Sequence, residues 1–469
     1  MLTLSAGLIA EVTAGEILLG NPDVMANGLQ IDSRQVEPGN LFVAFAGERV
    51  DGHDFLEEAI SAGARVLLVT EAPEQLGSAM EVARLRGITV VKVADALGAV
   101  QSLARHHRAR LFCPVIGVTG SSGKTTTKDF IYSVISQRAK VVATKGNRNN
   151  ELGVPLTLFE AGADTDAIVL EMAMRGEGQI ATLASIARPT AGLITNIGTS
   201  HIEILGSQDA IASAKAELVA SIGCEGTVFV NGDDAYADLI ASGTCASVIR
   251  YGLGVSNEVR AENIVLDEES RPTFDLVTPD ARENVTLGLP GRHNVYNALA
   301  AAAVGGYMSI PAVDIVTGLQ SATITEMRMQ AFMTAGGIHV INDAYNANPS
   351  SMRAAIETLS AMRAATRRIA VLGDMAELGS LTELAHFRIG EAIKELEIDL
   401  LITVGPRAVR IADGARATGM DPSAVFAFDE IAGATAKVLE CVAPGDAVLV
   451  KASRVIGLER IVDAIVSPE

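Results

Sequence analysis

The sequence has few cysteines, no excess of positive charge and no apolar run long enough to cross a bilayer. Its four cysteines, Cys113, Cys224, Cys245 and Cys441, lie far apart and show no metal-ligand spacing. They read as buried free thiols of a chain in a reducing cytosol, which sets aside a disulfide scaffold or a zinc site. Lys and Arg number 37 against 56 Asp and Glu, a formal net charge of −19. Nucleic acids and anionic membranes need clustered basic residues, so neither is an expected partner. A small anionic substrate stays compatible, because it meets local fields and not the global sum. The N-terminus is apolar but has no basic leader, and Glu11 and Glu16 interrupt it, against a signal peptide or a membrane span. A cytoplasmic location is expected.

What is present points to a large α/β enzyme. A chain of 469 residues, 49% hydrophobic, is too long for one core, and its length suggests about three domains. Residues 1–112 alternate strand and helix signals, as a small α/β domain does. Residues 113–320 read as a central, phosphate-loop ATPase-like domain with a parallel sheet, interrupted by a strand-rich acidic stretch near 255–286. Residues 321–469 alternate again, giving a Rossmann-like C-terminal domain.

The chain is organised around Pro114 to Thr127. A buried strand leads into Gly120, Ser121, Ser122, Gly123, Lys124, Thr125 and Thr126, and a helix follows. Glycines at 120 and 123 allow backbone approaches that a Cβ would block. Loop amides and the helix N-terminus can then face an anion, Lys124 can reach the β/γ-phosphates, and the Thr125 hydroxyl can reach Mg²⁺. The strict pattern wants glycine where Val118 stands, so the loop is a variant. A nucleoside triphosphate is the expected ligand.

Parallel α/β sheets put ligands at the carboxyl ends of strands. Glu171 ends one such run, and reads either as a metal carboxylate or as an edge salt bridge. His201 follows another, as a ligand or as a packed histidine. On the next helix Ile211, Lys215, Leu218 and Ile222 share one face, so Lys215 sits on the apolar stripe. Either it snorkels outward, or it loses its proton by desolvation and adds CO₂ as a carbamate. Asn294 and Asn297, at i and i+3, could match the edge of adenine, and Asn294 could instead, or as well, cap its helix. Ser33 and Arg34, with the polar loop at 47–53, could hold a diphosphate or form a solvated turn cluster.

The ordered set T-G-S-S-G-K-T-T, E-M-A-M, T-N-I-G-T-S-H-I-E, A-K-A-E, G-R-H-N-V-Y-N-A and N-D-A-Y-N-A-N-P-S-S resembles the Mur ligase family, the ATP-dependent amide ligases of peptidoglycan precursor synthesis. Within it, the 145–155 loop, V-L-G-D-M-A-E-L-G and K-A-S-R are most similar to members that join D-alanyl-D-alanine to UDP-N-acetylmuramoyl-tripeptide. Ala452 stands where that last motif usually has glycine. The resemblance implies ATP and two Mg²⁺ ions as cofactors, with Thr125, Glu171, His201 and a carbamylated Lys215 as metal ligands, and Lys124, Lys215 and His201 as catalytic residues. It further implies nucleotide contacts from Asn294, Asn297, Arg328 and Asp343. Ser33, Arg34, Asn147, Asn149 and Asn150 would contact substrate, and the chain would act as a monomer. The rivals are a ligase of the same superfamily with a different amine, and a non-catalytic nucleotide-binding regulator.

Overall fold

The computed structural model describes residues 2–47 and 50–467, so Glu48 and Arg49 of the expected polar loop lie outside the described residues. Packing divides the chain into two compact units. The first comprises Met1–Gly117, Ala139–Ala173 and Ile180–Ala191, and the second Val118–Arg138, Met174–Gln179 and Gly192–Glu469.

In the first unit, β1 (Thr3–Ser5) pairs antiparallel with a later short strand, and β2 (Glu16–Leu19) edges a five-stranded sheet. The partner of β1 is β3 (Met25–Asn27). The sheet adds β4 (Leu29–Gln30), β5 (Leu41–Val43), β6 (Val66–Val69) and β7 (Thr89–Lys92) in the order β2-β7-β6-β5-β4. All neighbours are parallel except β2 with β7. Every residue of β5 and β6 is buried, which explains why both read as continuous apolar runs and not as alternating ones. Phe42, Leu67 and Val90 pack with Leu56, Ala59 and Ile60 of the helix Leu56–Ala62. β8 (Val115–Thr119) begins in this unit. β9 (Val141–Ala143) and β10 (Ala167–Glu171) pair in parallel, and β11 (Ala191–Ile194) starts here.

The second unit carries β12 (Thr227–Asn231), β13 (Ser247–Gly252) and β14 (Val259–Leu266), all parallel neighbours. β15 (Pro272–Val277) and β16 (Arg282–Thr286) then extend them as antiparallel ribbons, the strand-rich stretch expected near 255–286. Further on come β17 (Gln330–Met333), β18 (His339–Asn342), β19 (Arg368–Gly373), β20 (Leu400–Val404), β21 (Val425–Phe428) and β22 (Ala447–Lys451). They form a six-stranded sheet ordered β17-β18-β22-β19-β20-β21, parallel apart from β17. Its core holds Val340, Ile369, Val371, Ile402, Val448, Val450 and Ile461. The carboxyl ends of β18, β19 and β22 lead into Asp343, Asp374 and Ala452, which puts three loops at one edge of this sheet.

The cysteine expectation is corrected here. Cys224 and Cys245 form a disulfide with Cα atoms 4.7 Å apart. Each cysteine lies just before a strand, and β12 and β13 pair with Thr227 opposite Ser247, so register brings together residues that sequence distance separates. Cys113 and Cys441 are free and half-buried. Among the described residues no helix is long and apolar enough to cross a membrane.

Candidate active site

β8 ends in the glycine loop, and the helix Lys124–Ile135 starts at Gly123 in the left-handed region, φ 79°. Gly120 has φ 148°, and a Cβ there would lie 1.8 Å from Thr195 Oγ1. No other residue fits that position. The segment after β11 splints the loop. Asn196 accepts the Ser121 amide through its carbonyl and the Ser122 amide through Oδ1, both at 3.0 Å. Thr195 Oγ1 donates to the Ser122 carbonyl at 2.6 Å, and Ser121 Oγ accepts the Gly198 amide at 2.8 Å. Lys124 Nζ donates to the Gly120 carbonyl at 2.8 Å, folding the ammonium back over its own loop. Thr125 and Thr126 are buried in the first turn. The loop is thus rigid and positively polarised at a helix N-terminus, a ready anion cradle.

Lys215 lies within the helix Gln208–Ala220 and is 1% exposed, beside Ile211, Ala214 and Leu218. It does not snorkel. Burial, reinforced by the like charge of Lys124, holds its amine well below the usual lysine range. His201 is also held down, chiefly by burial and further by Lys124 and Lys215, while Glu377 acts the other way. Lys124, Lys215 and His201 therefore form one electrostatic cluster. Glu377 Oε2 stands 2.6 Å from His201 Nδ1, although among the described residues Nδ1 makes no aligned hydrogen bond.

Asn294 and Asn297 sit on the helix His293–Tyr307 and are buried. Their amides are joined to each other at 2.8 Å, to the Pro290 carbonyl at 2.7 Å and to Thr127 Oγ1 at 3.1 Å. They brace the phosphate-loop helix as well as sharing a face, which composition could not show. In the six-stranded sheet, Gln330 lies opposite Asn342, so Arg328 and the turn after β18 share one edge. There the Arg328 guanidinium stacks 4.1 Å above the Tyr345 ring, and among the described residues its buried Nε has no hydrogen-bond partner. Asp343 accepts the Met329 amide at 3.1 Å and Lys451 Nζ at 2.6 Å.

The first unit holds the remaining expected residues. Glu171, 1% exposed, closes β10. Its amide donates to Thr144 Oγ1 at 3.0 Å, and Oε1 accepts Asn149 Nδ2 at 2.8 Å. Asn149 thus steers the carboxylate. Asn150 Oδ1 accepts the Gly153 amide at 2.8 Å, holding the turn that leads into the helix Gly153–Glu160, while the Asn147 carbonyl accepts the Asn149 amide. Ser33 is buried and donates to Glu58 at 3.0 Å. Arg34 is 80% exposed and forks onto Asp32 at 2.7 and 2.9 Å, which lowers the Asp32 carboxyl. Sequence reading passed over Tyr345, Glu377 and Lys451 as individuals. Each lies in a strand-end motif that it did single out, but stacking and pairing across loops leave no mark on spacing.

A splinted glycine loop at a helix N-terminus, with its lysine next to a second, buried one, places the chain among α/β enzymes that handle phosphoryl groups. Family comparisons narrow the class. The Mur ligase family catalytic domain matches residues 26–105, the Mur ligase middle domain 118–305, and the Mur ligase glutamate ligase domain 327–454. The chain belongs to the Mur ligase family. It is 38% identical to the UDP-N-acetylmuramoyl-tripeptide–D-alanyl-D-alanine ligase of Bacillus subtilis, covering 98% of each chain. It also resembles the crystal structure of MurF from Acinetobacter baumannii, with a TM-score of 0.87, 30% identity and 99% of each chain covered. The MurF ligase of Thermotoga maritima in complex with ADP aligns with a TM-score of 0.79 at 26% identity, over 93% of this chain and 96% of that one.

Proposed function

We propose that the chain is an ATP-dependent acid–amine ligase that joins D-alanyl-D-alanine to UDP-N-acetylmuramoyl-tripeptide, giving the pentapeptide, ADP and phosphate. The observation that carries this reading is end-to-end similarity, at 38% identity, to a relative named for that reaction, with the phosphate loop intact. Functional domains at 1–112, 113–320 and 321–469 belong to the same reading, supported by one family match inside each. A monomer working in the cytoplasm, where ATP is supplied, completes it.

The chemistry follows from a carboxylate's inertness toward amines. An oxygen of the tripeptide's terminal carboxylate attacks the γ-phosphorus of ATP. The new O–P bond forms as the bond to the β-bridging oxygen breaks, and ADP leaves. The amine of D-alanyl-D-alanine then attacks the acyl carbon, and the tetrahedral adduct expels phosphate as the amine's proton goes to solvent. Phosphoryl transfer asks the protein for positioning and charge neutralisation. Lys124 supplies a fixed positive charge, and the helix N-terminus that the splinted loop leads into would face the phosphates where that charge acts. Arg328 offers a flat cation already stacked on Tyr345 for the nucleotide, and Asp343, held by Lys451, offers an acceptor for ribose hydroxyls.

The donor chemistry of the expected ligands suits magnesium on one condition. Thr125 in the second unit brings oxygen, the donor Mg²⁺ prefers, as does Glu171 in the first, whereas His201 brings nitrogen and Lys215 brings nothing as an amine. In the neutral form favoured by its burial, Lys215 Nζ can bond to the carbon of CO₂, with one C=O pair moving to oxygen and the N–H proton lost to water. The carbamate then presents two oxygens beside His201. When bound, the ions would neutralise the β- and γ-phosphate oxygens. Release of ADP from ATP and the nucleotide-linked tripeptide, dependent on D-alanyl-D-alanine, tests the reading. Failure to form pentapeptide with every reactant present would refute it.

A further inference from the structure

His201 and Glu377 meet in an unusual way. Both are non-glycine residues in the left-handed region, His201 at φ 65° and Glu377 at φ 61°. That conformation is unfavourable for a side chain with a Cβ, and such residues persist where the surrounding structure over-determines them, commonly at functional sites. His201 belongs to the loop before the short helix Ile202–Leu205, and Glu377 to the loop after β19. Three further contacts surround the pair: one joins the two segments directly, one ties the His201 loop to the loop after β18, and one ties Glu377 to Arg175. A Cβ on Gly379 would stand 3.1 Å from Glu203 Cβ. Asn348 Nδ2 donates to Ser200 Oγ at 2.7 Å. The second oxygen of Glu377 lies 3.7 Å from Arg175 Nε. The carboxylate is therefore held from two sides, with Oε2 2.6 Å from His201 Nδ1.

An imidazole that ligates a metal through one nitrogen needs its other nitrogen fixed, and a carboxylate accepting the second N–H sets both tautomer and ring orientation. We propose that Glu377 is the positioning residue for His201, holding the proton on Nδ1 so that Nε2 is presented as the ligand. This rests on the reading of His201 as a metal ligand. It also gives the D-M-A-E-L-G loop a role. A residue from after β19 would tune a ligand from after β11, so metal binding and the seating of that loop on His201 would be coupled. Nδ1 is close to the carboxylate, though among the described residues it makes no aligned hydrogen bond.

Two readouts test this without using turnover. In metal-free protein labelled with ¹⁵N-histidine, with the His201 signals assigned by their loss in His201→Gln, the wild type should show Nδ1 protonated. Glu377→Ala should shift that tautomer, and Glu377→Gln, which keeps an acceptor oxygen, should largely retain it. In the second readout, Mn²⁺ binding to the ADP complex is followed by electron paramagnetic resonance. Glu377→Ala should weaken affinity about 10- to 100-fold, and Glu377→Gln less. An unchanged tautomer in Glu377→Ala, or Mn²⁺ affinity within twofold of wild type while His201→Ala loses it, overturns the positioning role. If His201→Ala itself binds Mn²⁺ normally, the fault lies in the ligand reading on which the proposal rests.

Discussion

Replacing Lys451 by methionine removes one ammonium and keeps most of the side-chain volume. Lys451 is 2% exposed and its partner Asp343 14%, so this is a buried pair and not a surface bridge. Nζ donates to Asp343 Oδ2 at 2.6 Å and to the Asn346 carbonyl at 2.8 Å. Taking one partner from a buried ion pair costs about 3–5 kcal/mol, because the other charge is left uncompensated. Here Asp343 keeps the Met329 amide at 3.1 Å and some solvent, which argues for the lower end, about 3 kcal/mol. The effect should be local to β18 and β22, where the Asp343 amide also bonds to the Val450 carbonyl. Native-state hydrogen exchange is the suitable assay, since it reads the opening energy strand by strand. At about 1.4 kcal/mol per tenfold, protection of the β18 and β22 amides should fall roughly 100-fold. Adding Asp343→Asn should recover about 1–3 kcal/mol relative to the sum of the single changes. ADP affinity should fall with Lys451→Met too, since Asp343 loses its anchor. A loss of protection under tenfold, with no coupling to Asp343→Asn, would refute the pair as a structural link between β18 and β22.

Three further outcomes are expected. Lys215→Ala should abolish ligation, and added formate or acetate should partly restore it by standing in for the carbamate oxygens; normal turnover in the alanine variant would remove the carbamate from the mechanism. Gly120→Ala puts a methyl 1.8 Å from Thr195 Oγ1 at φ 148°, so ATP-induced thermal stabilisation should vanish. Adding Thr195→Ala should relieve the clash and not the backbone strain of about 1–3 kcal/mol; full recovery in the double variant would show that the dihedral is unimportant. His293 is lowered to about 4, mainly by burial, with Lys451 pushing the same way and Asp343 opposing. A base held low binds its proton in the unfolded chain first, so stability is intact above about pH 6.5 and is lost as pH falls toward 4. Allowing for the ring's partial exposure, about 2–3 kcal/mol should go over that window. His293→Gln should flatten the acid limb of a denaturation series, and an unchanged slope would sink the assignment.

The parts of this protein that the sequence announces are those where one local rule suffices. β5, β6 and β8 are runs of apolar residues because both sheet faces are covered, and the variant glycine loop needs Gly120 and Gly123 for contacts that the structure measures. Lys215 was legible for the same reason: a charge on an apolar helix stripe breaks a period-3.6 pattern, and the fold keeps it buried. What stayed hidden depends on register and on contacts between distant loops. Cys224 and Cys245 look unrelated at 21 residues apart until β12 and β13 pair. Asn149 and Asn150 are adjacent and chemically alike, yet one steers Glu171 and the other holds the turn before a helix, a division that only the turn geometry makes. Glu377 is the sharpest case. Its motif was visible, but its role depends on a second left-handed residue far earlier in the chain, His201. Two strained backbones facing each other leave no trace in composition or periodicity. The approach of His201 to Glu377 was therefore the contact that sequence reasoning was least equipped to find.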